Sequence, residues 1–128
     1  MLKNVPIACL LTVVAIVPLA HAQLSKGPNG GIVATSQGHP IELVLKGQEI
    51  VFYLRDDDGS ALASKDMLGR ATIQEGGKTI MVTLEPMAPN MLAGKLEGPV
   101  GAKARVVFSA NFRRGAHTHT LTARYVAQ

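Results

Sequence analysis

Three histidines carry the side chains best suited to bind a transition metal. His117 and His119 lie two residues apart, so on a strand they share one face, about 7 Å apart at Cα. His39 opens an earlier apolar stretch, and five intervening strands would bring it to the same end of the fold. Because imidazole binds Cu(II) and Zn(II), the sequence predicts a candidate copper or zinc site at His39, His117 and His119. The alternative is that all three are ordinary strand-end residues.

Two methionines form a weaker, alternative metal site. Met87 and Met91 are expected to lie within one loop bent by a proline, and thioether sulfur selects Cu(I). Met81 is out of phase with its apolar neighbours and is expected to face away from the core. Methionine also fills gaps between strands, and that role competes with the ligand role here.

The run Asp56-Asp57-Asp58-Gly59 resembles a calcium loop only superficially. An EF-hand needs acidic ligands at alternate positions and a closing Glu at the twelfth, and neither is present. Asp and Gly favour turns, so this segment is predicted to be a turn.

Catalysis and nucleic-acid binding have little support in the sequence. No serine lies in a nucleophile elbow, and no carboxylate pair is set in a recognisable frame. The net charge of +4 is spread along the chain without a basic stripe or a set of stacking aromatic residues. We therefore expect a protein that is not an enzyme and does not bind nucleic acid.

The N-terminus has the three parts of a secretory signal peptide. Lys3 precedes an apolar run over 5–19, and Ala20-His21-Ala22 supplies the small residues that signal peptidase requires. The run is shorter than the roughly 20 residues of a membrane span. We expect cleavage after Ala22, a periplasmic location, and loss of the single cysteine, Cys9, with the signal. A domain without cysteine excludes disulfides and thiol chemistry.

Period-two alternation dominates the chain from residue 31 onward, and this pattern is typical of strands. Gly47 and Gly76-Gly77 separate alternating segments and predict tight hairpins. The expected organisation is a signal peptide over 1–22, a flexible lead-in over 23–30 and one all-β domain over 31–128. Seven to eight short antiparallel strands in that length predict an immunoglobulin-like β-sandwich.

Several short motifs resemble those of a known family. They are Gly27-Pro28-Asn29-Gly30-Gly31, Glu42-Leu43-Val44, the run 52–59, Leu84-Glu85-Pro86 and the run 90–94. Together they are similar to small periplasmic β-sandwich proteins that occur free or as the N-terminal module of heavy-metal efflux adaptor proteins. Members of that family often carry a His-rich stretch before the Gly-Pro opening, and residues 23–26 have no histidine.

The resemblance implies a non-catalytic accessory module that handles copper, zinc or related ions, with a metal efflux or other envelope complex as partner. The alternative is a structural or protein-interaction module of a cell-envelope complex with no metal site. The sequence leaves the oligomeric state open.

Overall fold

A computed structural model describes residues 24–128. The predicted signal peptide over 1–22 and its cleavage site lie outside the described residues. Within 24–128, no helix is long and apolar enough to cross a membrane.

The described residues form nine antiparallel strands, which confirms the all-β prediction. All nine belong to one sheet in the order β1-β2-β3-β4-β7-β6-β5-β8-β9. The strands are β1 (Ser25–Lys26), β2 (Ile32–Ser36), β3 (His39–Lys46), β4 (Glu49–Leu54), β5 (Leu68–Glu75), β6 (Lys78–Met87), β7 (Met91–Lys95), β8 (Arg105–Arg114) and β9 (His117–Val126). The short strand β1 lies within the segment predicted as a lead-in and pairs with β2.

Both predicted tight hairpins are present, and their glycines have the backbone conformation that explains them. Gly47, with φ of 56°, is the first of the two turn residues between the paired Lys46 and Glu49, and glycine at this position is typical of the type II′ turn. Gly76 and Gly77, with φ of 55° and 79°, join β5 to β6. Their positive φ at both central positions is the geometry of the type I′ turn, which glycine adopts without steric cost.

The sheet curls until its two halves face each other across one core. Phe52 of β4 lies 4.5 Å from Phe108 of β8 and 5.9 Å from Tyr125 of β9, measured between ring centroids. The outer strands also meet, since the Thr122 amide donates to the Ser36 hydroxyl at 3.1 Å. The sequence predicted a sandwich, and the structure has one continuous curled sheet.

Glu42 holds the lead-in against the outer face of β3. Its side chain is 2% exposed, although its position alternates with the core residues of the strand. The carboxylate accepts hydrogen bonds from the Asn29 amide at 2.9 Å, the Asn29 side chain at 3.0 Å and the Gly31 amide at 2.8 Å. A β-carbon at Gly27 would overlap this carboxylate, so the turn can approach only as glycine. The Arg55 guanidinium, 3.9 Å away, supplies a positive charge.

We expect Glu42→Gln to destabilise the fold. The introduced amide nitrogen would face backbone N–H donors, and hydrogen bonds to a charged group contribute up to about 3 kcal/mol. Urea unfolding should show a loss of about 2–3 kcal/mol. Glu49→Gln, at an exposed position beside Lys46 and Lys95, is the matched control and should change stability by less than about 0.5 kcal/mol. Equal stability of the two variants would contradict this role.

Tyr125 ties the last strand to β3 across the curl of the sheet. Its hydroxyl donates to the Ile41 carbonyl at 2.7 Å, and the side chain is buried. Burial raises the pKa of the Tyr125 phenol far above its ordinary value, and the negative charge of Glu42 raises it further. The folded state therefore keeps this proton at pH values where the unfolded chain loses it.

The sign of the pH dependence follows from linkage. Because the folded pKa is the higher one, the stability contributed by Tyr125 is complete below about pH 10, the ordinary tyrosine pKa, and falls as pH rises above it. Tyr125→Phe should cost about 1 kcal/mol near neutral pH through the lost hydrogen bond. It should also flatten the alkaline fall, as measured by urea unfolding across that range. An unchanged alkaline slope would show that another group causes it.

Candidate functional site

The three histidines lie at one end of the curled sheet. His39 is the first residue of β3 and His117 the first of β9, and five strands separate the two along the chain. Since every neighbouring pair in the sheet is antiparallel, β3 and β9 run in the same direction. Between residues 55 and 68 the chain makes only an isolated bridge, from Arg55 to Ala61, so no extra strand reverses the direction.

Phe112 contacts two of the three imidazoles. It is the cross-strand partner of His119, and their rings stack with centroids 5.3 Å apart and planes 27° apart. The His39 ring meets the same phenyl group edge-on, with centroids 6.2 Å apart. Deeper on the same strands lie the buried Ala110 and Leu121. The aromatic group therefore covers this end of the core, with Phe112 as the contact shared by His39 and His119.

The His39 ring is held by the backbone of the neighbouring strand. The residue is 9% exposed, and its Nδ1 lies 3.2 Å from the Arg55 carbonyl oxygen. A carbonyl only accepts, so Nδ1 carries the proton and the lone pair of the neutral ring lies on Nε2. A metal-binding histidine is commonly oriented by such a bond at its other nitrogen.

Asp56 and Arg114 extend this group outward. The Asp56 Oδ1 atom lies 3.6 Å from Nδ1 of His39, and its Oδ2 atom lies 3.5 Å from the Arg114 guanidinium. Arg114 shares the strand phase of Phe112, pairs with His117 across the hairpin and reaches Asp56, and its side chain is 61% exposed.

The histidines do not converge as closely as a preformed three-ligand site requires. Among residues 24–128, one group of three side chains that could hold a metal ion has its ligand atoms within 4.8 Å of one another. This group is Asp56, Asp57 and Asp58. His39, His117 and His119 form no such group in that part of the chain. Their use as one ligand set is therefore still a prediction.

The aspartate run is a turn, as its composition predicted. The Gly59 amide donates to the Asp56 carbonyl at 2.9 Å, and Gly59 has a φ of 86°. The Ser60 hydroxyl and amide both donate to the Asp58 carboxylate, and these bonds hold its pKa below the ordinary value. The carboxylates thus form the turn itself, and this arrangement does not by itself indicate a metal site.

The methionines separate into two environments. Met67 is buried in the core at 3% exposure, whereas Met81 is 61% exposed and faces outward as expected. Met87 ends β6 and Met91 begins β7, and the two are direct cross-strand partners rather than parts of a loop. Met87 is 48% exposed. No third soft ligand pairs with them in the strand register, so the Cu(I) alternative has weaker support than the histidines.

The sequence analysis did not identify Phe112 and Asp56 as residues of the histidine end. Phe112 was available in principle, because a two-residue turn after Arg114 pairs Phe112 with His119. Asp56 was available in the same way, because extending the β3–β4 register by two residues beyond Ile41 and Leu54 places Asp56 opposite His39. No protein-family model, curated protein or solved structure matches the chain.

The contact with Arg55 makes a prediction about the His39 tautomer. We expect neutral His39 to carry its proton on Nδ1, because the partner is a carbonyl oxygen. Long-range proton–nitrogen NMR correlations distinguish the two tautomers, and His117→Ala and His119→Ala variants assign the signals. A proton on Nε2 would contradict the hydrogen bond and the availability of that nitrogen to a metal.

Proposed function

We propose that this chain is a non-catalytic binding module of the cell envelope whose histidine end takes up Cu(II) or Zn(II). The observation that carries the proposal is the shared end of β3 and β9, where His39 and His119 contact Phe112 and His117 begins the same strand as His119. Export after Ala22 and the resemblance to modules of heavy-metal efflux adaptors belong to the same proposal. So does the immunoglobulin-like arrangement, supported by the two halves of the sheet that face each other across one core.

The ligand roles follow from exposure and contacts. His117 is exposed and His119 half-buried, and the two share a face, so they are the first ligands that an ion would meet. Stacking on Phe112 occupies the face of the His119 ring and leaves its in-plane nitrogens outside that contact. His39 becomes the third ligand once the Phe112 ring moves aside. Asp56 offsets part of the positive charge that Arg114 brings to this end.

Metal binding should raise the melting temperature, because a ligand that favours the folded state stabilises it by mass action. We expect Cu(II) or Zn(II) to produce this shift in the protein recovered from a periplasmic extract. The intact mass of the same sample tests export, because the cleaved chain should start at Gln23. His117→Ala combined with His119→Ala should abolish the shift. Thr118→Ala with Thr122→Ala, on the opposite face of the same strand, is the matched control and should keep it.

Two further measurements test the chemistry of the site. Acidification should weaken binding, since imidazole as a class takes up a proton between about pH 5 and 8 and then cannot bind a metal. Phe112→Ala should tighten binding by freeing the path to His39, and adding His39→Gln should cancel that gain in calorimetry. A melting temperature insensitive to both ions would leave the alternative, an interaction module without a metal site.

A further inference from the structure

The outer face of β5, β8 and β9 collects four arginines, and we call it the arginine face. Arg70, Arg105, Arg113 and Arg124 are exposed and alternate with the core residues of their strands. Arg105 pairs with Val126, so it lies diagonally across from Arg124, about 7–8 Å away at Cα.

The position of Arg70 extends the patch across a third strand. Arg70 pairs with Ser109, which pairs with Thr122, and this places Arg70 roughly 12 Å from Arg124.

Acidic side chains are sparse around the arginine face. The ion pairs among residues 24–128 involve His39, Arg55 and Arg114, so the four arginines of the face have no acidic partner in the described chain. Glu75 is the only acidic residue of β5, β8 and β9, and its carboxylate lies against Gly101 at the hairpin end. Glu85, on the outer face of neighbouring β6, borders the patch and pairs with Ala93.

The opposite half of the sheet differs in its charge pattern. There Lys46 pairs with Glu49, and Glu49 pairs in turn with Lys95, so opposite charges alternate across three strands. The topology therefore gathers four arginines without alternating acidic residues on one of the two outer faces. A surface of one sign over several strands attracts anionic partners over about a Debye length, or roughly 8–10 Å.

Exposed aliphatic side chains border the same arginines. Leu68 is 76% exposed, Met81 61% and Val126 44%. Leu68 shares the strand phase of Arg70, Met81 pairs with Thr72, and Val126 pairs with Arg105. Protein–protein interfaces place apolar groups at the centre and exclude charge from it. Here guanidinium and hydroxyl groups surround one half-buried apolar residue, Val107, in the middle, and the most exposed aliphatic side chains lie at the periphery.

We propose that the arginine face docks on an anionic phospholipid surface. The arginines meet the phosphate groups of the lipids, and Leu68, Met81 and Val126 enter the boundary between head groups and acyl chains. Basic side chains combined with exposed apolar ones are the two requirements for stable binding at a membrane interface. Because the arginines lie on separate strands of one continuous sheet, they can contact separate lipids at once. Docking here requires no metal and stands independently of the histidine end.

Cosedimentation of the full chain with vesicles tests the proposal. Vesicles of phosphatidylglycerol mixed with phosphatidylcholine should bind the protein, and vesicles of phosphatidylcholine alone should bind it much less. Arg105→Gln with Arg124→Gln should weaken binding about 30-fold, because each arginine near an anionic surface contributes about 1 kcal/mol. Leu68→Ser should weaken it a few-fold. Salt raised from about 0.1 M to about 1 M should suppress binding as the Debye length shrinks to about 3 Å.

The matched control is Lys46→Gln with Lys95→Gln, which removes the same net charge from the opposite half and should leave binding within about twofold of wild type. All substituted residues are exposed, so thermal unfolding should be similar across the set. Equal losses in both double variants would reduce the effect to net charge and overturn the proposal. Vesicle binding that neither double variant changes would also overturn it. So would binding to soluble polyglutamate as strong as binding to the vesicles and unaffected by Leu68→Ser, because that result would indicate an acidic protein partner.

Discussion

A buried carboxylate needs a hydrogen bond at each oxygen, and the organisation of this molecule depends on how Glu42 meets that requirement. The side chain lies on the outer face of β3 at 2% exposure, where a single unpaired charge would cost several kcal/mol. The lead-in supplies the donors at Asn29 and Gly31, and its glycines allow the close approach. The carboxylate thus fastens the start of the domain to its third strand. The same charge also reaches Tyr125, which closes the curl from the inside.

The Glu42 contact makes the two outer faces of the sheet unequal. On the side of β3 and β4, the lead-in turn packs over the strands, and Val44 and Val51 are buried although they point away from the core. On the side of β5, β8 and β9, no described segment covers the strands, and the alternate positions are arginine, hydroxyl and exposed aliphatic residues. The outer face of β3 and β4 is therefore partly buried, whereas the outer face of β5, β8 and β9 is uncovered. The open half is the surface available to a partner.

The β8–β9 hairpin connects the two proposed functional regions. Its inner side carries Phe112, His119 and His117, and its outer side carries Arg113 and the start of the arginine face. Because alternate residues of one hairpin serve both regions, a membrane-docked molecule would hold its histidine end close to the lipid surface. That arrangement suits an envelope module that meets ions near a membrane complex. Arg114 lies on the inner side of the same hairpin and borders the histidines, and Asp56 offsets the charge of Arg114.

The sequence by itself determined the local features of this fold. Alternation located β3, β4, β8 and β9 and their buried faces, and the glycine pairs located the hairpins, because strand periodicity and turn chemistry depend on neighbouring residues. Alternation alone does not give burial at strand ends: Ile80 shares the phase of buried Val82 but is 48% exposed near the hairpin tip. Tertiary structure alone decided the single curled sheet, the Glu42 contact and the meeting of His39 with Phe112. It also decided that arginines spread along the chain share one face, since register across β5, β8 and β9 depends on pairing between residues far apart in the chain.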